Sequence, residues 1–463
     1  MGKDSPPPYS EHLTRTSTNV PAYAIAPPLI NPHTLLPSTF RVGQYDVSPF
    51  VTVPEMKLHL KLLAAFDALQ QRVRETPEAE GNILDGDTRW SVFCTRAEKN
   101  FEAWVRRLPE GTVRLEDEDV PGLDVVMCWH AYMLNPRRWY EDCERDERIE
   151  RVGRLGKFPL EQVVSSAPSS RYLDFGLISE QTTFIDPTTF EYNPPRREKS
   201  PAARDTLPFP TSPETTTFPL YCPQCMVPNI IPWLKSPDRP HGYCQKEFQH
   251  ACVGCGLIIT HDVLRVNKVC EDIVGVYHGD VVKFLPGLGL MPSTGDMTPF
   301  VGLRVSSAIA AVFKLAFDNA FPDKTRLQDK SGQTFTASAL GQHVFHWSFA
   351  EFEKMLDRAL KSGVIARAAT GVMFKRCAVN LRIGRMYASY AHAGLASVAL
   401  GPAVMRQANF IGKMKGLGWL KSGRFEGEPF LLQKSAARYH AFLDLMRSMQ
   451  GFLCPSESRS GFG

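Results

Sequence analysis

Cys222-Pro-Gln-Cys225 and Cys252-Val-Gly-Cys255-Gly256 are two CxxC knuckles separated by a short segment. Four thiolates in two such pairs form the closed tetrahedral shell that zinc adopts when its role is structural. Each knuckle places two sulfurs on one tight turn, and Gly256 supplies the backbone freedom needed after the second. Leu257-Ile258-Ile259 then reads as a short strand, and Thr260 caps a following helix that begins with Asp262, Val263 and Leu264. Knuckle, strand and helix predict a zinc-ribbon or treble-clef-like module over residues 220–280. Cys244, His250 and His261 lie close by, and any of them could replace a knuckle cysteine or hold a second metal. The knuckle set satisfies one ion without them, so Cys222, Cys225, Cys252 and Cys255 are the expected ligands and structural zinc the expected cofactor. Four protein sulfurs leave no open coordination position, so the site is expected to staple the fold rather than to react.

On the N-terminal side of the module the pattern is helical. Met56, Leu60, Leu63, Phe66 and Leu69 recur at three- and four-residue intervals, and Trp90, Phe93, Ala97, Phe101 and Trp104 do the same over 90–108. Residues 54–185 are therefore expected to form a helical domain. Residues 186–219, with Asn193-Pro194-Pro195 and Pro208-Phe209-Pro210, read as a linker. Beyond the module, 281–452 read as a second helical lobe, with helices over Val305–Phe317, Phe349–Leu360 and Tyr439–Met449, followed by a flexible tail over 453–463. The predicted class is mainly α: two helical lobes joined by the four-cysteine module, behind a disordered Pro-rich N-terminus.

That N-terminus, residues 1–53, is rich in Pro, Ser and Thr without an apolar period and is expected to be extended or disordered. Within it Pro6, Pro7 and Tyr9 fit the PPxY ligand of WW domains, a preformed polyproline turn with a tyrosine for its own slot. The same residues read equally well as an ordinary Pro-rich tail. No apolar signal core and no run of eighteen apolar residues is present, so a soluble cytoplasmic protein is expected, with the nucleus as the alternative. Eleven cysteines without a secretory signal point to metal ligands rather than disulfides.

The segment from Leu123 to Cys143 is dense in polar groups in apolar company. Leu123, Met127, His130 and Leu134 share one helix face, and Asn135-Pro136 is suited to end that helix and N-cap the next. His130 is either a general base oriented by Asp124 or Asp142 or a hydrogen-bonded core histidine, and the second reading needs no chemistry. Asp124, Trp129, His130, Asn135, Arg137 and Asp142 are assigned to this structural polar corner.

Trp129-His130-Ala131-Tyr132-Met133-Leu134-Asn135-Pro136-Arg137 and Glu141-Asp142-Cys143 resemble the hallmark of the glycine-rich domain-containing protein family. The cysteine segment, with Phe248 and Ile259-Thr260-His261, and the stretch Val404-Met405-Arg406-Gln407 with Arg438-Tyr439-His440, are similar to its fungal branch, which lacks the glycine-rich tail. The resemblance covers most of 55–450. It implies no enzymatic activity that transfers to particular residues, and nucleic-acid roles suggested for tailed members transfer poorly.

From Arg358 to Phe425 there is no Asp or Glu. Arg376, Arg382, Arg385, Arg406, Lys413 and Lys415 lie in that stretch and either meet acidic groups of the same chain or attract RNA or another polyanion. Glu116–Asp119 and Glu141–Glu150 are the acid-rich segments available inside the chain. An iron- and 2-oxoacid-dependent oxygenase would require His278, Asp280 and His346, with His343 and Arg358 nearby, on strands of a β-sandwich. The helical spacing after His346 argues against it, Gly287-Leu288-Gly289-Leu290 is not a dinucleotide fingerprint, and no GxSxG or Walker motif is present. The expected function is a zinc-stabilised interaction scaffold with a protein partner, and no catalytic residue is assigned.

Overall fold

The computed structural model describes residues 36–75, 85–115, 119–156, 158–166, 185–186, 191–192, 217–234, 241–279, 281–290, 298–321, 334–365, 376–421 and 429–453. It is mostly helical, with small two-stranded sheets and a four-cysteine cluster. The chain divides into two compact units.

The smaller unit joins the N-terminal segment to residues 428–453. Strands β1 (Phe40–Val42) and β2 (Tyr45–Val47) pair antiparallel, Phe40 opposite Val47, around a two-residue loop whose first position, Gly43, has φ +65°. They belong with α13 (Pro429–Leu453): Gly43 N–H donates to Asp444 Oδ1 at 2.7 Å and Phe40 stacks on His440 at 4.0 Å. His440 is fully buried, its Nδ1 donating to Ala436 O (2.7 Å) while Nε2 accepts the Phe50 N–H (2.8 Å). The end of the segment whose composition suggested disorder is thus a hairpin. Its partner is almost four hundred residues downstream, so no local period announces it. Pro6, Pro7 and Tyr9 lie outside the described residues, as do the four acidic positions' first three, 116–118, and most of the predicted linker.

The larger unit begins with α1 (Val53–Glu75), which buries Leu60, Leu63, Phe66 and Leu69 as their spacing predicts. Helix α2 (Gly86–Arg107) starts a turn earlier than its apolar pattern because Asp85 caps it, accepting from the N–H groups of Asp87 and Thr88. Helices α3 (Leu123–Met133), α4 (Pro136–Arg145), α5 (Glu147–Arg154) and α6 (Leu160–Ser166) follow, with the short pair β3 (Ile185–Asp186) and β4 (Glu191–Tyr192) beyond them. The cysteine module contributes β5 (Thr217–Tyr221), β6 (Pro228–Pro232), β7 (Gln249–Ala251) and β8 (Ile258–Thr260), in two antiparallel pairs.

Strand β8 runs directly into α7 (His261–His278), the hub of the second helical region. Around it pack α8 (Pro299–Ala320), α9 (Ala337–His343) and α10 (Phe349–Lys361), with Val266, Ile273, Ile309, Phe313, Leu340 and Phe352 fully buried between them. Helix α8 is long and apolar enough to cross a membrane, and half of its most apolar stretch is buried inside the protein. Helices α11 (Arg376–Ser389) and α12 (Leu400–Gly416) complete the unit, α12 lying on α2 and α3.

The Gly287-Leu288-Gly289-Leu290 loop is a packing device. A Cβ on Gly287, whose φ is +82°, would stand 2.5 Å from the backbone N of Met386, and one on Gly289 would stand 2.5 Å from the Phe284 ring. Bare backbone lets the loop press against α11, where Arg382 donates to Leu288 O, while Glu141 of α4 accepts from Gly289 N–H at 2.8 Å.

Candidate metal centre and buried polar network

The two knuckles are copies of one backbone turn. In the first, Cys222 N–H donates to Val227 O (3.0 Å) and Met226 N–H to Cys222 O (2.9 Å); in the second, Cys252 N–H donates to Leu257 O (2.9 Å) and Gly256 N–H to Cys252 O (2.9 Å). The residue after the second cysteine is left-handed in both, Gly256 at φ +76° and Met226 at φ +60°. Glycine adopts this without strain. Methionine does not, so the first knuckle holds Met226 against its own preference.

The turns bring the four sulfurs within 4.8 Å of one another. Cys222 Sγ lies 3.6 Å from Cys255 Sγ, and Cys225 Sγ 3.5 Å from Cys252 Sγ. A tetrahedral ion with sulfur bonds of about 2.3 Å separates its ligands by about 3.8 Å, so the set fits a single metal ion. Donors converge on one sulfur: Gly254 N–H at 3.3 Å and Asn229 Nδ2 at 3.6 Å approach Cys252 Sγ, and buried Asn229 is itself fixed by Val253 N–H at 2.9 Å. Burial would raise the Cys252 thiol, but the backbone N–H groups of Cys255 and Gly254 and the Asn229 amide outweigh it and bring it down to about 6. Burial pushes Cys222 up to about 12. One lowered thiol, Cys252, faces Cys222 and Cys225, whose thiols are raised, so a bound cation would have to draw off the protons those two keep.

None of the three competing residues joins the cluster. His261 Nε2 lies 3.2 Å from Gln245 O, its ring held between Tyr243 and Phe248. The Cys244 thiol is half-buried and pushed up to about 11 by burial, and among the described residues only the knuckle cysteines form a group able to share an ion.

The polar corner differs from its sequence reading in three ways. Asp124 is buried but accepts from Asn100 Nδ2 at 2.8 Å, and Asp142 is engaged elsewhere, so neither orients His130. His130 Nε2 instead lies 2.8 Å from His59 Nε2 on α1, and Gln407 of α12 meets its Nδ1. Burial lowers both imidazoles, and His59 lowers His130 further, to about 4, so the pair is neutral and shares one proton. Asn135 makes no N-cap bond; its Nδ2 donates back to Ala131 O at 2.9 Å, closing the end of α3, while Pro136 opens α4. Arg137 is exposed and takes no part. Trp129 is buried as expected, against Trp104 and Phe158.

Arg145, which the sequence reading passed over, is the centre of this region. It is fully buried, with Nε 2.6 Å from Asp142 Oδ1 and Nη1 3.6 Å from Asp272 Oδ2 on α7. Burial alone would raise Asp142; Arg145, the Ser397 N–H at 2.8 Å and the Tyr132 hydroxyl overcome it and hold the carboxyl low. Tyr390 OH donates to Asp272 at 2.9 Å, and buried Lys268 donates to Ala396 O at 2.9 Å.

These contacts account for much of the acid-free stretch. Its backbone donors are met by acids from outside it: Glu102 accepts from Leu395 N–H (3.0 Å), Glu98 from Gly401 N–H (3.1 Å) and Asp142 from Ser397 N–H. Arg382 is 1% exposed and reaches Thr298 Oγ1 at 3.0 Å, so it cannot meet an external polyanion. Arg385 is only partly exposed, its charge facing Arg138 and Glu141, and Lys415 pairs with Asp67 at 2.9 Å. Arg406 and Lys413 are exposed on α12, and the side chain of Arg376 lies outside the described residues.

Among the described residues, no sheet carries the oxygenase constellation. His278 ends α7, its Nε2 3.2 Å from Phe335 O, and His346 lies in the turn between α9 and α10 with Nδ1 3.2 Å from Gln342 O; Asp280 is outside the described residues. His343 packs on Phe321 with ring centroids 4.1 Å apart, as a core-edge ring does. Comparison with known protein families, with curated proteins and with solved structures finds no match.

Proposed function

We propose that this chain is a zinc-stabilised interaction scaffold, in which Cys222, Cys225, Cys252 and Cys255 hold one structural zinc ion. The observation that carries this reading is the approach of four sulfurs within 4.8 Å, at separations one tetrahedral ion requires. Sulfur donors suit zinc, four of them leave no position for substrate, and the second knuckle leads through β8 into α7. Bound zinc then supplies folding free energy rather than Lewis acidity. A reducing compartment such as the cytoplasm, which keeps thiols available, fits this role. The resemblance around Trp129–Arg137 supports placement in the tail-less branch of the glycine-rich domain-containing protein family.

Elemental analysis of protein purified without added metal tests the assignment, with one zinc per chain expected. Cys225→Ser should lose that zinc and unfold the module at lower temperature. A variant with unchanged zinc and unchanged melting would show that the ligand set is wrong.

A partner-binding role for the exposed side of α12 is a second reading, favoured by Arg406 and Lys413 standing beside exposed Phe410 and Leu417. Cationic and apolar groups side by side suit an anionic polymer that also stacks, such as single-stranded RNA.

A further inference from the structure

Gln224 sits between the two sulfurs of the first knuckle, and both of its polar ends are engaged by the α9–α10 corner. Its side-chain Oε1 accepts from the indole N–H of Trp347 at 3.1 Å, and its backbone O accepts from Ser338 Oγ of α9 at 2.9 Å. The second knuckle reaches the same corner from the other side. It continues through β8 into α7, where Asp262 Oδ2 accepts the Phe349 N–H at 3.2 Å and the Arg265 guanidinium lies 4.0 Å over the Phe349 ring.

The corner so gripped is a strained one. His346 and Trp347 are consecutive non-glycine residues in the left-handed region, at φ +50° and +56°. A bulky residue adopts that conformation only where its surroundings over-determine it. Here the buried Trp347 ring lies over Gly341, where a Cβ would come within 2.5 Å, and the Trp347 N–H donates to Gly341 O at 2.8 Å. Of the other holds described above, Gln224 lies inside the first knuckle, and Asp262 and Arg265 stand on the first turns of α7, the helix into which the second knuckle leads through β8.

We infer that the metal centre is a clamp on the α9–α10 turn: an ion bridging the two knuckles fixes Gln224 and Asp262 relative to each other, and through them holds His346–Trp347 in its left-handed conformation. This rests on the cluster holding a metal, as proposed above. The knuckles are then one half of a coupled pair, and metal occupancy is read out in the local order of residues 341–349, more than eighty positions along the chain from any sulfur ligand.

Hydrogen exchange of the full chain, read by mass spectrometry on peptides spanning 341–349, tests the coupling. Removing metal with a chelator should speed exchange at Trp347 and Phe349 at least tenfold, while α1 to α3 keep their protection. Gln224→Ala and, independently, Trp347→Phe should show the same loosening at 341–349 while still binding one metal per chain, because neither removes a sulfur. If metal is present and chelation leaves this segment unchanged, or if both metal-loaded variants exchange as the wild type does, the clamp is wrong and the metal assignment survives. If elemental analysis finds no metal, both fall together.

Discussion

Replacing Arg145 by methionine is expected to cost about 3–5 kcal/mol of stability, the range for removing one partner of a buried ion pair. The side chain is 1% exposed and faces two carboxylates, Asp142 at 2.6 Å and Asp272 at 3.6 Å. Without the guanidinium, Asp142 keeps only the Tyr132 hydroxyl and the Ser397 N–H, and Asp272 keeps the Tyr390 hydroxyl. Methionine fills much of the volume, so the loss is electrostatic rather than a cavity. The sign of its pH dependence follows. In the wild type Asp142 is held below its ordinary value, so it stabilises the fold above the unfolded carboxyl pKa and that contribution fades as pH falls. In the variant burial dominates, the carboxyl rises, and the penalty is largest at neutral pH and shrinks on acidification. Urea unfolding of wild type and Arg145→Met at pH 7 and pH 5 measures both. A deficit below 1 kcal/mol at pH 7, or one that grows at pH 5, would refute the assignment of Arg145 as the hub.

Three further expectations concern separate features. Because His130 is lowered from 6.5 to about 4, its contribution is complete above pH 6.5 and is lost as pH falls towards 4, by up to about 3 kcal/mol at 1.36 kcal/mol per pH unit; His130→Gln should flatten this limb of a pH–stability curve, and an unchanged slope would place the titration elsewhere. Gly287→Ala meets both a positive φ and the Met386 backbone, and should lower stability by about 3 kcal/mol or more in thermal unfolding, whereas Gly384→Ala, with open space around it, should change little. Arg406→Glu with Lys413→Glu should abolish any salt-sensitive retention on single-stranded RNA while leaving the melting temperature in place; retention that persists would remove α12 as the contact surface.

Features written in short-range pattern were legible in the sequence. The knuckle spacing gave the sulfur cluster because two CxxC turns impose the same geometry wherever they occur, and Leu60, Leu63 and Phe66 gave the buried face of α1 through helical spacing alone. Long-range pairing was not legible. The partner of His130 is His59, on another helix, and Arg145 looks like a solvated charge until Asp272 of α7 is placed beside it. Arg382 misled for the same reason: its burial depends on a glycine loop that comes close only in the folded chain. Asn135-Pro136 was half legible, since proline marks the start of α4 while the asparagine turned back to finish α3.

The hairpin at residues 40–47 has a consequence for how the protein is made. Its closing bonds reach Asp444 and His440, and Phe50 and His440 are 390 positions apart. A ribosome adding 5–20 residues per second needs roughly 20 to 80 s to cover that distance. Throughout that interval Phe40 and Phe50 have emerged with nothing to stack on. The smaller unit therefore assembles last, after its C-terminal helix has been translated, and a chain cut short anywhere in between leaves the β1–β2 hairpin without the helix it packs on, open to chaperones and proteases.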